Sequence, residues 1–438
     1  MNATHHEPGP LTSPGTHRTA AWRAVAAAMF CCGWGGNQFT PLLLMYRQAG
    51  GYSEVTVDAF LAAYVVGLVP GLLVAGPLSD RLGRRPLMVA GTVASVLASL
   101  VLTAGAGGPV PIYCGRLVTG IAVGVAMAVG TSWVKELSAD PHASARRASL
   151  SLTAGFGLGA GVAGVLAQWG PWPMVTPYVV HAALTLPALW AVLRAPETGD
   201  RSTAPTGSVW SALRVPAVRD RRFRRIVLPM APWVFGAAGV AYAVMPQLVA
   251  DRVGHWGLAY ATLLTVLTLG TGAAVQPLAK HLGARSPGRA LLLAMGAMTV
   301  GMAVCALDAA LRSPWLGLVG AVVLGAAYGM AVISGLLEIQ RIAPPGALAG
   351  LTGVYYALTY CGFLAPTVLA ALAGFSTAAS YPLMLSVVAA LALACLLLVA
   401  RGLALHSADR TPDPGRLPVA RRVPAEPADA APSAGTRD

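Results

Sequence analysis

Twelve stretches of this chain are apolar over the length needed to cross a lipid bilayer, and no other feature restricts its fold so strongly. A bilayer core about 30 Å thick takes about 20 residues of helix at about 1.5 Å per residue. Runs of that length fall at 22–45, 55–78, 86–106, 110–134, 148–168, 175–194, 226–249, 256–279, 289–311, 314–337, 347–373 and 380–403, joined by short polar connections and one long one. Ala, Leu, Val and Gly fill them without period-two alternation, which predicts helices and not barrel strands. Charged residues make up only 11% of the chain, against about a quarter in a soluble domain. This excludes an ordinary soluble enzyme, a disordered chain and a nucleic-acid binder; the expected fold is an all-α membrane protein of twelve transmembrane helices. Glycines four apart, Gly120 with Gly124 and Gly157 with Gly161, read as places where helices pack closely.

The net charge of +13 is a topology signal. With residue 1 inside, all but four of the 30 Lys and Arg fall on the inner side, the exceptions being Arg47, Arg116, Arg252 and Arg312. Cytoplasmic loops collect such residues, so an even number of spans in the inner cell membrane, with both termini cytoplasmic, is expected. Residues 1–21 lack the apolar core of a secretory signal, and residues 404–438 are rich in Pro, Ala, Arg and Asp; both segments are expected to be disordered cytoplasmic tails. All six cysteines fall within the runs and read as small apolar filler, neither a disulfide framework nor a metal pair.

An internal repeat divides the spans into six and six. Residues 76–85 read GPLSDRLGRR and residues 276–285 read QPLAKHLGAR, each at the inside end of a span, and Gly120 and Gly124 find counterparts in Gly325 and Gly329. Pseudo-symmetric repeats of this kind build many transporters. The expected organisation is a six-helix half over 22–194, a cytoplasmic loop over 195–225 and a second six-helix half over 226–403. That loop ends in AVRDRRFRRIV, which alternates too little for a firm amphipathic helix. It reads as an anchor at anionic headgroups, where each Arg is worth about 1 kcal/mol.

The turn between spans two and three holds the most specific pattern. Gly76, Leu78, Asp80, Arg81, Gly83, Arg84 and Arg85, with Met88 at the final apolar position, resemble the signature loop of the major facilitator superfamily. Arg116 followed by Gly120 and Gly124 is similar to that family's arginine motif in span four, and GFGLGAGVAG from Gly155 resembles its glycine-rich exporter motif without the usual proline. The resemblance extends over residues 20–405 and points to bacterial drug or metabolite efflux members. It implies that Asp80 braces the inside end of span eleven when the protein is open outward. Gly83 permits the tight turn, Asp80 can accept from a helix N-terminus, and Pro344, Pro345 and Gly346 suit a helix start for span eleven. Glu136 is the carboxylate that Arg84 or Arg81 is expected to meet, and Glu338 has Arg341 close by for a local brace. The plain alternative is that these charges only set topology, but Lys280 stands where Asp80 does in the first half, so the halves are not braced alike.

Function is expected where polar groups are least favourable, at membrane depth. Asn37 and Gln38 in WGGNQFTPLL can hydrogen-bond a ligand, with Pro41 breaking the helix to expose backbone; their alternative role is to bond one span to another. Arg116 must face water, a carboxylate or an anionic ligand unless it snorkels to the outer interface. The resemblance puts spans one, four, seven and ten around the cavity, which adds Tyr242, Gln247, Tyr328 and Ser334 to the lining, whereas Tyr355, Tyr356 and Tyr360 read as packing residues. Asp58, Asp251 and Asp308 lie near outer ends and Glu136 and Glu338 near inner ends, none at mid-depth. Protons are the candidate coupling ion, through Asp58, His181 or Glu338, although an isolated His such as His181 is more often a packing residue. Neutral, amphipathic or anionic substrates fit better than cations. No catalytic set, metal or organic cofactor is implied.

The function expected is secondary active transport of a small molecule by alternating access, with efflux placed ahead of uptake and a monomer sufficing. An uptake symporter for a sugar, amino acid or organic acid is the first alternative. A non-transporting membrane sensor is the second, and the intact gate loop counts against it.

Overall fold

Every described stretch of regular structure is helical. The computed structural model describes residues 21–138, 140–199, 215–344, 347–375 and 380–408. Residues 1–20 and 409–438 of the expected tails, residues 200–214 of the central loop, and Pro345 and Gly346 lie outside the described residues, while 404–408 continue the last helix. Among the described residues, eleven helical runs are long and apolar enough to cross a membrane: Glu54–Leu82, Arg84–Gly107, Pro109–Glu136, Ala143–Trp169, Thr176–Leu193, Phe223–Leu248, Ala250–Arg285, Gly288–Leu311, Pro314–Ile342, Leu348–Phe375 and Tyr381–Leu405. These are spans two to twelve.

Span one is interrupted. Trp22–Asn37 is α-helical, a 3-10 turn covers Thr40–Leu42, and α-helix resumes over Leu43–Gln48. Pro41 removes the N–H that the Asn37 carbonyl would receive in a continuous helix, so the break falls where proline demands it. Together the twelve spans make the two six-helix halves of the expected fold.

Glycine sets the closest helix pairs. A Cβ on Gly120 would stand 2.0 Å from the Tyr64 carbonyl oxygen of span two, and one on Gly329 would stand 2.0 Å from the Gly272 carbonyl oxygen of span eight. Spans four and two therefore meet as spans ten and eight do, which is the internal repeat expressed as packing. The expectation for Gly157 and Gly161 is corrected. Nothing lies within 4 Å of a Cβ on Gly157, and only Val266 approaches one on Gly161; it is Gly155 and Gly159 that press against Phe30 and Trp34 of span one. The end of the central loop differs as well. Residues 221–226 of DRRFRRI are the first turns of span seven, started by Asp220, whose carboxylate accepts from the Arg222 and Phe223 N–H groups at 2.7 and 3.2 Å. Capping by Asp outweighs the weak amphipathic pattern.

The buried core is continuous across both halves at one end of the bundle and split at the other. One cluster joins Phe39, Tyr46 and Phe60 to Phe235, Leu264 and Met298. Towards the Gly83 turn, hereafter the motif end, Met29, Met88 and Trp133 form a separate cluster in the first half. Ile226, Ile339 and Tyr355 form another in the second half. Outward-facing Val66, Leu97, Leu158, Leu293 and Leu397 are exposed, an exterior that carries no penalty in hydrocarbon.

Candidate functional site

Between the halves lies a cavity of about 40 Å³, room for little more than a water molecule. Asn37, Thr40, Tyr64, Arg116 and Phe156 line it from the first half, and Phe235, Tyr242, Leu269, Tyr328, Tyr360 and Phe363 from the second. Tyr242 sits in a π-helical turn, Val240–Val244, and a second such turn, Ala126–Gly130, interrupts span four beneath Arg116. Turns of this kind shift helix register and recur at functional sites.

Arg116 is fully buried. Its Nη1 donates to the Gly36 carbonyl at 3.2 Å and its Nε to the Phe60 carbonyl at 3.4 Å. The guanidinium lies over the rings of Phe39 and Tyr64, 4.6 and 4.5 Å from their centroids. Its Nη2 has no hydrogen-bond partner, and among the described residues no carboxylate is paired with it. Carbonyl dipoles and ring faces offset the burial of such a charge without neutralising it. Asn37 beside it is committed to the protein, donating to the Phe156 carbonyl at 3.1 Å and accepting from the Thr40 hydroxyl at 2.7 Å.

Of the residues expected to line the cavity, Asn37, Arg116, Tyr242 and Tyr328 lie on its wall in this structure, and Gln38, Gln247 and Ser334 lie off it. Gln38 points into the first half, where its Nε2 donates to Ser99 at 3.1 Å. Ser99 bonds His181 Nδ1 at 2.7 Å, and His181 Nε2 lies 2.9 Å from the Cys31 carbonyl. A carbonyl only accepts, so Nε2 donates to Cys31, while Nδ1 and the Ser99 hydroxyl share the second bond. Ser334 is buried on span ten, its hydroxyl without a partner. Tyr360, expected to be a packing residue, lines the cavity, as do Phe156, Phe235 and Phe363, which the sequence did not single out. An aromatic residue in an apolar run carries no mark that separates cavity wall from core.

At the motif end, Gly83 has a φ of +101°, a region few side chains tolerate. Arg84 follows it as the hub of a cluster. Its Nη1 donates to Asp80 and Ser79, both at 2.6 Å, and its Nε to Glu136 at 3.0 Å. The described partner of Asp80 is thus Arg84 and not the start of span eleven. Glu197, just after span six, was missed. Its carboxylate accepts from the Arg84 and Arg85 N–H groups at 2.8 and 3.0 Å, capping the first turn of span three. Partial burial pushes its carboxyl up, but the N–H groups of Gly199, Arg84, Arg85 and Thr198 outweigh that and hold it below the ordinary carboxylate value. A lone acid within four residues of a span end was the available signal. In the second half Glu338, only 1% exposed, accepts from Arg341 at 2.6 Å and from Arg222 at 2.7 Å. The expected local brace thus gains a third member.

At the opposite end the bonds cross between halves. Arg47 pairs with Glu54 and donates to Gln247 at 3.0 Å. Gln247 in turn donates to Asp58 at 3.3 Å, and the Thr367 hydroxyl donates to the Asp58 carbonyl at 2.7 Å. Tyr381 donates to Glu54 at 3.0 Å, and Gln168 bonds the His255 carbonyl and the Ala259 N–H at 3.0 and 2.9 Å. Gln247 and Asp58, expected in separate roles, are brought together in this network.

Comparison with known proteins agrees with the architecture. The nucleoside transporter NupG superposes with a TM-score of 0.67 over 89% of this chain and 99% of that chain at 13% identity, a likeness of fold. The chloramphenicol resistance protein of Pseudomonas aeruginosa is 26% identical over 348 residues, 74% of this chain and 77% of its own length. The gallate transporter of Pseudomonas putida is 36% identical over 125 residues, so the match spans 28% of this chain and only 26% of that relative. The family model described as Major Facilitator Superfamily matches residues 25–366. The chain therefore belongs to the major facilitator superfamily, a family of membrane transporters.

Proposed function

We propose that this chain moves a small organic anion across the cytoplasmic membrane by alternating access, with Arg116 meeting the substrate's charge. The observation that carries this reading is a fully buried guanidinium on the cavity wall, with one nitrogen unpartnered and no carboxylate paired to it among the described residues. An anionic group reaching Nη2 would supply the missing charge-assisted hydrogen bond in a low-dielectric site. With its other end against the second half, such a ligand would favour states in which both walls approach it.

The halves are bonded to each other at the opposite end, while at the motif end the described ion pairs stay within each half. We read this as the state open towards the motif end, which the asymmetry of Lys and Arg makes cytoplasmic. In the outward-open state Asp80 is expected to leave Arg84 for the start of span eleven. The pattern of Gly76, Leu78, Asp80, Arg81, Gly83, Arg84 and Arg85, with Glu136, is the proposed gate. Breaking the Arg47–Gln247–Asp58 chain leaves Asp58 free to exchange a proton, which makes it the preferred coupling group. His181 is committed to Ser99 and Cys31, and Glu338 to two arginines.

Efflux is the proposed direction, supported by the chloramphenicol resistance relative that matches most of the chain. Uptake of an organic acid is the second reading, favoured by Arg116 and by the gallate transporter relative. Purified protein in liposomes, given a pH gradient of either sign and a mixed library of small molecules, separates them by mass spectrometry. Efflux by antiport predicts substrate moving against the proton flow, and uptake by symport predicts movement with it. Movement of neutral molecules alone would overturn the anion reading, and no movement of any compound would overturn transport.

A further inference from the structure

The two walls of the cavity differ in chemistry. The first half contributes the guanidinium of Arg116 with Asn37 and Thr40, and the second contributes a stack of rings. Phe235 lies at its centre, 4.3 Å from Tyr360 and 4.9 Å from Phe363 between centroids, with interplanar angles of 23° and 21°. Tyr360 is the ring of this stack that reaches the other half, 6.5 Å from Tyr64, whose ring in turn lies 4.5 Å from the Arg116 guanidinium. Guanidinium, Tyr64, Tyr360 and Phe235 thus form one row from the charged wall to the aromatic wall.

A cavity of about 40 Å³ cannot hold an organic anion, so a side chain must leave before one binds. Tyr360 is the occupant whose ring bridges the two walls, and one weak hydrogen bond holds it. Its hydroxyl donates only to the Met127 sulfur, at 3.4 Å, a weak acceptor. Just beyond it, span eleven changes from α-helix to a 3-10 turn over Gly362–Leu364. What Tyr360 loses on leaving is mainly a stacked contact with Phe235, and another flat ring replaces that contact like for like.

We infer that the substrate is an aromatic carboxylate, bound with its carboxylate at Arg116 and its ring in the slot against Phe235 that Tyr360 fills in this structure. This rests on the proposed function above and narrows its substrate. Tyr360 is then a self-occupant of the site, displaced by the ring of the ligand.

The test is calorimetric titration of the full-length protein in lipid nanodiscs with benzoate, cyclohexanecarboxylate and benzamide. The acids share charge and bulk but differ in flatness, and the amide keeps the ring without the charge. Benzoate is expected to bind about fivefold or more tightly than cyclohexanecarboxylate, the range of one aromatic stack, and benzamide far more weakly than either. Tyr360→Ala should tighten benzoate binding several-fold by emptying the slot. Phe235→Leu, which keeps bulk but removes the fixed ring, should weaken benzoate more than cyclohexanecarboxylate and so narrow the gap between the two acids, and it serves where Tyr360→Ala fails to fold. Equal affinity for the two acids would overturn the ring slot and leave the anion reading standing. Equal affinity for benzoate and benzamide would overturn the anion reading instead. Weaker benzoate binding by a folded Tyr360→Ala protein would overturn displacement, and absence of binding by all three at millimolar concentration would overturn both.

Discussion

Arg116 shows how much one residue's surroundings add to its identity. Its type and depth announced a charge in need of a partner; only the geometry reveals that the protein supplies carbonyls and rings and leaves Nη2 open. Arg116→Met is predicted to weaken binding of an organic anion about 10- to 100-fold, because a hydrogen bond to a charged group contributes about 1.5–3 kcal/mol. The same variant should melt no lower than the parent in the absence of ligand, since an uncompensated buried charge has left. Arg116→Lys should not restore binding, because an ammonium cannot span Gly36, Phe60 and a ligand as the guanidinium fork does. Parallel titrations and melting curves check all three. Glu197→Gln tests the cap on span three. The folded state holds the Glu197 carboxyl below its ordinary value, so its charge stabilises the fold above the ordinary carboxylate range, and that stability is lost as pH falls through the lowered value. The variant should therefore melt below the parent at neutral pH, with the gap closing on acidification past the carboxylate range. Arg116, Asn37, Tyr242 and Tyr328 were legible because polar or phenolic groups at depth are few. Gln38 was misplaced because neighbours on a helix point about 100° apart, so Asn37 meets the cavity while Gln38 meets Ser99.

The length of each apolar run gives a helix its existence, and small residues decide which helix it touches. Gly120→Val should be severe, because even a Cβ would stand 2.0 Å from the Tyr64 carbonyl oxygen, within backbone that cannot yield. A loss of about 1–3 kcal/mol or more is expected from such overpacking. Gly157→Val, with open space at its Cβ, should leave stability nearly unchanged. Melting temperatures of the two variants in one detergent make the comparison direct. The sequence could not rank these two glycines, since both belong to the same four-residue spacing and only the azimuth of each helix separates a packed face from an open one. The start of span seven was hidden for a related reason. RRFRR alternates too little to read as an amphipathic helix, yet Arg222 points at Glu338 while Phe223 and Ile226 are buried.

For the molecule as a whole, the claim is that the two halves are latched at one end and free to part at the other. Asp80→Asn, which leaves the membrane insertion signals alone, should cut flux sharply without reducing the amount of inserted protein; unchanged flux would make the gate pairing dispensable. Gln247→Ala removes the link between Arg47 and Asp58. Hydrogen bonds of about 0.5–1.5 kcal/mol each imply a shift of several-fold towards the state open at the opposite end, readable as longer spin-label distances across that end. Two halves and twelve spans were legible in the sequence because apolar runs and internal repeats obey simple spatial rules. Which end is closed was not, since it depends on pairs such as Arg47 with Gln247, 200 residues apart. The most direct test of the account is counterflow: liposomes carrying the protein are preloaded with unlabelled benzoate and diluted into labelled benzoate. The account predicts transient accumulation of label by the parent protein and none by Arg116→Met, whatever the coupling ion; absence of counterflow in the parent, or equal accumulation by the variant, would contradict it.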